Sequence, residues 1–126
     1  CPWAHRTLIF RSIKRLEAHI SVSVVDPLML SEGWVFSEPE PLMGCMRMYE
    51  VYLAADALYE GRVTVPVLWD TKLGTIVNNE SAEIIRMLNS QFNDLRGDTQ
   101  DFYPARHRSE IDAINDRIYH DINNGV

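Results

Sequence analysis

The sequence lacks the features that mark several large classes of protein. No apolar run approaches the roughly 20 residues that a membrane-spanning helix needs, and its 4 histidines and 2 cysteines show no zinc-ligand spacing. With only Cys1 and Cys45, a disulfide framework is not indicated, whereas a reducing compartment such as the cytoplasm suits a free thiol. The net charge of −6 argues against a nucleic-acid surface. We therefore expect a soluble cytoplasmic domain with no metal, membrane or nucleic-acid partner.

Apolar periodicity in the remaining sequence predicts helices that alternate with short strands. The 126 residues, 46% of them hydrophobic, suffice for one domain or for one domain and a piece of another. The predicted elements are a helix over 2–19, a strand over 20–25, an irregular loop over 27–48, a helix over 49–59, strands over 63–69 and 74–78 joined by a hairpin, a helix over 81–92, a linker over 93–104 and a helix over 105–124.

This order of elements predicts an α/β fold with a thioredoxin-like layout. A strand–helix–strand unit followed by a hairpin and a helix is typical of that layout, although the strand that should precede the first helix is missing. We expect a thioredoxin-like domain over 1–92, a linker over 93–104 and one further helix after it.

The opening Cys1-Pro2 pair is the strongest indication of chemistry. Proline suits the first turn of a helix, and a thiolate is stabilised at a helix N-terminus. The segment reads Cys-Pro-Trp-Ala, so it lacks the second cysteine of a dithiol motif, which favours a cycle that uses an external thiol. Cys45 has no motif around it and is interpreted as ordinary. The alternative is that Cys1 has no chemical role.

Two further segments carry candidate residues for ligand binding. Pro66 interrupts a predicted strand, so it lies at a sheet edge or follows a cis peptide bond. In the second case the Val65 backbone could pair with an extended peptide beside the nucleophile. Glu80 and Ser81 begin a predicted helix, where free N–H groups bind carboxylates and Glu80 can accept from an ammonium group. A simple helix cap is the alternative for this pair.

Trp34 and Arg62 are weaker candidates. Trp34 lies in the long loop, where an indole can pack on a ligand and donate one hydrogen bond; the alternative is a loop anchor in the core. Arg62 precedes the strand with the proline and can pair with a ligand carboxylate, or it can simply be solvated.

Taken together, these motifs resemble one family. The Xi class of glutathione transferases, the glutathionyl-hydroquinone reductases, has similar segments to CPWAHR at 1–6, GWVF at 33–36, GRVTVPVLWD at 61–70, TIVNNES at 75–81 and INNGV at 122–126. The resemblance covers nearly the whole chain. It implies that residues 105–126 are the truncated start of an all-α glutathione-transferase C-terminal domain, of which the helix after the linker is the first helix. It also implies that the chain is an internal fragment and that the full-length protein is a homodimer.

The resemblance also implies a reaction. Cys1 is expected to remove glutathione from a glutathionyl-hydroquinone through a Cys1–glutathione mixed disulfide, with glutathione as co-substrate and no metal. Val65, before a cis-Pro66, is expected to bind the cysteinyl backbone of glutathione.

Four further residues receive roles from the same resemblance. Glu80 and Ser81 are expected to hold the γ-glutamyl end of glutathione, and Trp34 and Arg62 to close over its glycyl end. Two other functions stay open. One is a glutathione-binding or scaffold module without turnover, and the other is a glutaredoxin-like reductase of disulfides, against which the long loop weighs.

Overall fold

The computed structural model describes residues 1–96 and 99–125; two residues of the predicted linker, at 97–98, and the last residue lie outside the described part. The helices there are α1 (Pro2–Ile13), α2 (Met48–Ala55), α3 (Ser81–Ser90), α4 (Asn93–Arg96) and α5 (Arg108–Ile118), and the strands are β1 (Leu68–Asp70) and β2 (Thr75–Asn78). A 3₁₀ turn at Ala105–His107 precedes α5 and a π-helical turn at Tyr119–Asn123 follows it. None of the described helices combines the length and apolarity that a membrane crossing needs.

Helix α1 ends at Ile13, earlier than the predicted end at residue 19. Arg15 has a φ of 54°, and its N–H donates to Ser12 O while the N–H of Leu16 donates to Arg11 O, both at 2.9 Å. These two bonds form a Schellman motif, which terminates a helix through a residue in the left-handed region. The turn directs Leu16 into the core, where it is buried.

The predicted strand over 20–25 is wrong. Only Val25 has a bridge partner, Phe36, and Val24 is 71% exposed. Strand residues need a neighbouring strand to satisfy their N–H and C=O groups, and no described segment runs alongside residues 21–24. The β-branched composition therefore indicated an extended backbone but not a pairing partner.

The predicted hairpin is confirmed, with a shorter first strand. β1 pairs antiparallel with β2, and the Asp70 carboxylate accepts the N–H groups of Lys72 and Leu73, each at 2.8 Å. Gly74 has a φ of 64°, which suits the left-handed turn position. The strand predicted from residue 63 begins only at Leu68, since a proline at 66 has no N–H to donate to a ladder.

Two clusters of buried side chains form the core. The α2 cluster consists of Phe36, Met48, Val51 and Tyr52, and the α1–α3 cluster consists of Leu16, Ile84 and Leu88. Helices α1 and α3 pack directly on each other. The irregular loop over 27–47, predicted as such, reaches the α2 cluster through Phe36.

The segment after α4 is anchored to the body rather than free. Buried Asn89 donates to Asp101 Oδ1 at 2.7 Å and accepts the N–H of Phe102 at 2.8 Å. The ring of Phe102 packs edge-on against Phe10, with centroids 5.6 Å apart. The Arg86 guanidinium lies 3.5 Å from the centroid of the Tyr103 ring. The predicted polar linker is therefore held by specific contacts on its described C-terminal side.

Candidate functional site

Cys1 stands at the N-terminus of α1, as the sequence predicts. It is the N-cap residue, Pro2 occupies the first turn, and the His5 N–H donates to Cys1 O at 3.1 Å. The Cys1 side chain makes no capping hydrogen bond and is exposed. The thiol is therefore available to a reactant at the positive end of the helix dipole.

The thiol of Cys1 lies beside the Val65-Pro66 segment. Its Sγ is 3.8 Å from Val65 O, within hydrogen-bonding range for sulfur. The Val65–Pro66 peptide bond is cis, which confirms that interpretation of Pro66. Val65 is half-buried against the α2 cluster. The chain thus presents a backbone carbonyl next to the sulfur.

The Glu80-Ser81 pair begins α3. Glu80 is the N-cap residue and its Oε1 accepts the N–H of Ala82 at 3.1 Å. Asn78 Oδ1 accepts the Glu80 N–H at 2.7 Å, which fixes the chain entering the helix. Ser81 is only 2% exposed. The capping interpretation is correct for Glu80, and it leaves the second carboxylate oxygen for another partner.

Arg6 is a candidate site residue that the sequence motifs did not single out. Its Nε and Nη2 donate to Ser81 Oγ at 3.0 and 2.7 Å, and Nη2 lies 3.7 Å from Glu80 Oε1. The guanidinium thereby connects α1 to the start of α3. Arg6 lies four residues before Phe10, on the helix face that packs inward; this helical spacing is the signal by which it could have been found.

Trp34 and Arg62 are placed differently from these residues. Trp34 is half-buried and packs against the α2 cluster, and its carbonyl accepts the Met48 N–H at 2.9 Å. Arg62 is exposed. Across residues 1–96 and 99–125, no hydrogen bond or ion pair joins either side chain to Cys1 or to the Glu80-Ser81 pair. The same part of the chain contains no group of three or more His, Cys, Asp or Glu residues placed to hold a metal ion.

Comparison with known proteins decides the family. The profile described as "Glutathione S-transferase, N-terminal domain" matches residues 1–91. This chain belongs to the glutathione S-transferase family. The thioredoxin-like α/β fold expected from the sequence is the fold of that domain.

Individual members of the transferase family are similar over the whole chain. Glutathionyl-hydroquinone reductase YqjG of Escherichia coli (strain K12) is 54% identical over 132 residues, which cover 100% of this chain and 40% of the relative. Its glutathione-bound structure has a TM-score of 0.94 at 53% identity, covering 99% of this chain and 43% of that chain. Glutathione transferase Xi 1 from Trametes versicolor has a TM-score of 0.94 at 48% identity, covering 99% and 47%.

These relatives confirm the resemblance to Xi-class transferases that the motifs indicated. The chain spans about two fifths of the length of the curated relative named here.

The second cysteine of this transferase domain has surroundings unlike those of the first. Burial raises the pKa of the Cys45 thiol, and the nearby carboxylates of Glu40 and Glu50 raise the pKa further. A raised pKa lowers the thiolate fraction at neutral pH and hence the reactivity. Cys45 is half-buried, so its environment agrees with the interpretation of Cys45 as an ordinary cysteine.

Proposed function

We propose that this chain supplies the glutathione-binding part and the reacting thiol of a glutathionyl-hydroquinone reductase. One observation carries the proposal: the exposed Cys1 thiol stands at a helix N-terminus, 3.8 Å from the Val65 carbonyl. The similarity to a protein named glutathionyl-hydroquinone reductase supports the choice of substrate. The chain takes the glutathione end of that substrate in this proposal.

Glutathione binding begins with its peptide backbone. The Val65 N–H and C=O pair with the cysteinyl residue in the manner of an added strand, which brings the glutathione sulfur to Cys1. Pro66, which follows Val65, has no backbone N–H, so it cannot form a ladder hydrogen bond that would compete with the ligand.

The γ-glutamyl end of glutathione lies at the start of α3 in this proposal. Ser81 Oγ accepts two hydrogen bonds from Arg6 and donates its own proton to Glu80 Oε1 in a long contact of 3.5 Å. In this proposal the hydroxyl turns from that contact to donate to the γ-glutamyl carboxylate. Glu80 accepts from the ammonium group with the oxygen that does not cap the helix. Trp34 and Arg62 close over the glycyl end.

The reaction consists of two displacements at sulfur. The Cys1 thiolate attacks the glutathionyl sulfur, an S–S bond forms, the bond between sulfur and the ring carbon breaks, and that carbon takes a proton from solvent to release the hydroquinone. A second glutathione thiolate then attacks the mixed disulfide, which frees the Cys1 thiolate and releases oxidised glutathione. The hydroquinone product gains a C–H bond while two glutathione sulfurs become one disulfide, so the electrons balance.

The wider organisation belongs to the same proposal. We infer a thioredoxin-like domain over 1–92, a linker over 93–104 and the start of a helical domain over 105–126, in a cytoplasmic homodimer. The described helical segment from residue 105 onward, with its exposed apolar side chains, supports a separate helical unit.

Intact-mass spectrometry of the chain mixed with a glutathionyl-hydroquinone tests the proposal. We expect one glutathione adduct on the wild type and on the matched control Cys45→Ala, no adduct on Cys1→Ala, and free hydroquinone in proportion to the adduct. Absence of an adduct on a folded wild-type chain would indicate a binding module without turnover. An adduct formed from a glutathionylated peptide but not from the hydroquinone conjugate would indicate a glutaredoxin-like reductase.

A further inference from the structure

The hydroxyl of Tyr52 lies at the centre of a part-buried hydrogen-bond network next to the candidate site. It donates to Thr64 O at 3.0 Å and accepts the Thr64 N–H at 3.3 Å. Asn79 Nδ2 donates to the same oxygen at 3.0 Å. Thr64 Oγ1 also lies 3.3 Å from the Tyr52 hydroxyl. A phenol offers one donor and two acceptor positions, so these contacts occupy its whole capacity.

The ring that carries this hydroxyl is held firmly. Tyr52 is only 2% exposed and belongs to the α2 cluster. Its ring lies against that of Tyr59, with centroids 4.8 Å apart. Because interiors are close-packed, the ring cannot shift to follow a moving partner. The hydroxyl therefore acts as a fixed point for the groups that it binds.

The residues bound by Tyr52 are the immediate neighbours of two parts of the site. Thr64 directly precedes Val65, whose carbonyl faces the Cys1 thiol. Asn79 directly precedes Glu80, the N-cap residue of α3. The Tyr52 oxygen thus joins the segment that approaches the thiol to the segment that begins α3. Beside it runs one longer direct bond, from Asn79 Nδ2 to Thr64 Oγ1 at 3.5 Å.

We propose that Tyr52 is a positioning residue that fixes the distance between the cysteinyl and γ-glutamyl sides of the glutathione site. This inference rests on the proposed function. A ligand that spans both sides gains affinity only if they are held at the correct separation before it arrives. Among the described residues the Tyr52 hydroxyl bonds to Thr64 and Asn79 and not to the Cys1 thiol. In this proposal it acts only through those neighbours, so a reactant that uses one side alone is insensitive to it.

The rate of thiol–disulfide exchange at Cys1, measured with two different disulfides, separates an effect on ligand recognition from an effect on the reactivity of the thiol. Oxidised glutathione carries the full recognition structure, and 2-hydroxyethyl disulfide carries none. In both reactions the Cys1 thiolate attacks one sulfur, forms a mixed disulfide and releases the other half as a thiolate. The rate constant with oxidised glutathione, divided by that with 2-hydroxyethyl disulfide, reports the recognition of glutathione. The rate constant with 2-hydroxyethyl disulfide alone reports the intrinsic reactivity of the Cys1 thiol.

Three single variants, and the double variant of Tyr52→Phe with Asn79→Ala, complete the design. Tyr52→Phe keeps the packed ring and removes the hydroxyl, and Asn79→Ala cuts one arm of the network at an exposed residue. Tyr103→Phe is the matched control, since its hydroxyl binds Asp112, at 2.7 and 2.6 Å from the two carboxylate oxygens, and touches neither side of the site.

We expect a ratio well above one for the wild type. Tyr52→Phe lowers the ratio by roughly threefold to tenfold, the effect of losing hydrogen bonds in a part-buried network, while the rate with 2-hydroxyethyl disulfide stays unchanged. Asn79→Ala also lowers the ratio, and the double variant loses less than the sum of the two free-energy changes because both act through one contact. Tyr103→Phe leaves both rates unchanged.

An unchanged ratio in Tyr52→Phe and Asn79→Ala overturns the inference, as does an equal fall in both rates, which would show that Tyr52 only supports the fold. If Tyr52→Phe does not fold, an unchanged ratio in Asn79→Ala is sufficient to overturn it. A wild-type ratio near one instead overturns the proposed function, and this inference with it.

Discussion

The two helix starts that form the candidate site differ in how they are held. At the start of α1, Cys1 makes no capping hydrogen bond and its thiol is exposed. At the start of α3, Glu80 caps the helix and Ser81 is buried under two hydrogen bonds from Arg6. The start of α1 has no side-chain cap, whereas at the start of α3 described hydrogen bonds hold Glu80 and Ser81 and leave one Glu80 carboxylate oxygen outside the cap.

This difference agrees with the two different tasks that we propose for the helix starts. A reacting sulfur has to be reached and has to change its partner, so a helix start without a cap, with its N–H groups unsatisfied, suits it. A recognition site gains affinity when its donors are fixed before the ligand arrives. Arg6 lies on α1 but donates its hydrogen bonds to Ser81 at the start of α3. A mutation of Arg6 should therefore change ligand recognition without changing the reactivity of the Cys1 thiol.

Replacing Arg6 with methionine should have the largest effect on this comparison. Arg6→Met keeps an apolar stem and removes the charged donors to Ser81, so glutathione affinity should fall by roughly tenfold or more. Titration calorimetry with glutathione measures this loss. The rate of Cys1 alkylation by iodoacetamide, which needs no recognition, should stay at the wild-type value.

Arg11→Met is the matched control for Arg6→Met. Arg11 lies on the same helix and donates to Ile20 O at 2.6 Å and to Glu17 O at 3.2 Å, away from Ser81. It should lower the melting temperature without weakening glutathione binding. Equal losses of affinity in the two variants would mean that Arg6 acts only by stabilising α1, and the division between the helix starts would then be wrong.

Replacing Glu80 with glutamine should have a smaller and more selective effect. Glutamine retains an oxygen that can accept the Ala82 N–H, so the cap and the melting temperature should change little. The negative charge that would meet the ligand ammonium group is lost. The preference for glutathione over an analogue without the γ-glutamyl amino group should therefore fall by roughly threefold to fivefold, the range of a partly exposed ion pair.

Competition between these two ligands, measured on the wild type and on Glu80→Gln, checks the prediction. A parallel loss of affinity for both ligands would show that Glu80 serves the fold alone. An unchanged preference would place the ammonium group elsewhere. After either result, only Ser81 and Arg6 would keep a proposed role in ligand binding at the start of α3.

The parts of the fold that local chemistry determines were predictable from the sequence. The hairpin follows from an aspartate and a glycine within one turn, and α1 begins where Pro2 permits. The end of α1 was not predictable, because Arg15 adopts a left-handed conformation that its residue type does not favour. The prediction of a strand over 20–25 was wrong because a strand needs a neighbouring strand to pair with, and the residues over 20–25 do not by themselves specify one.

The candidate site divides in the same way. Cys1 with Pro2 and Glu80 with Ser81 carry their signals in adjacent residues, and the structure places both pairs at helix starts. Arg6 meets Ser81 across 75 positions of the chain. Such a contact is created by the packing of α1 on α3, so the residues that hold the site are harder to find than the residues proposed to react or bind.

Arg62 provides the smallest predicted effect and tests whether recognition extends beyond the two helix starts. Its guanidinium is exposed, so an ion pair with the glycyl carboxylate of glutathione contributes about 0–1 kcal/mol and is weakened by salt. Arg62→Ala should therefore weaken glutathione binding by less than about fivefold at low ionic strength. The effect should vanish for γ-glutamylcysteine, which lacks the glycyl residue, and should shrink as salt is added. A loss of equal size for both ligands would remove Arg62 from the site, and recognition would then rest on Val65 and the start of α3.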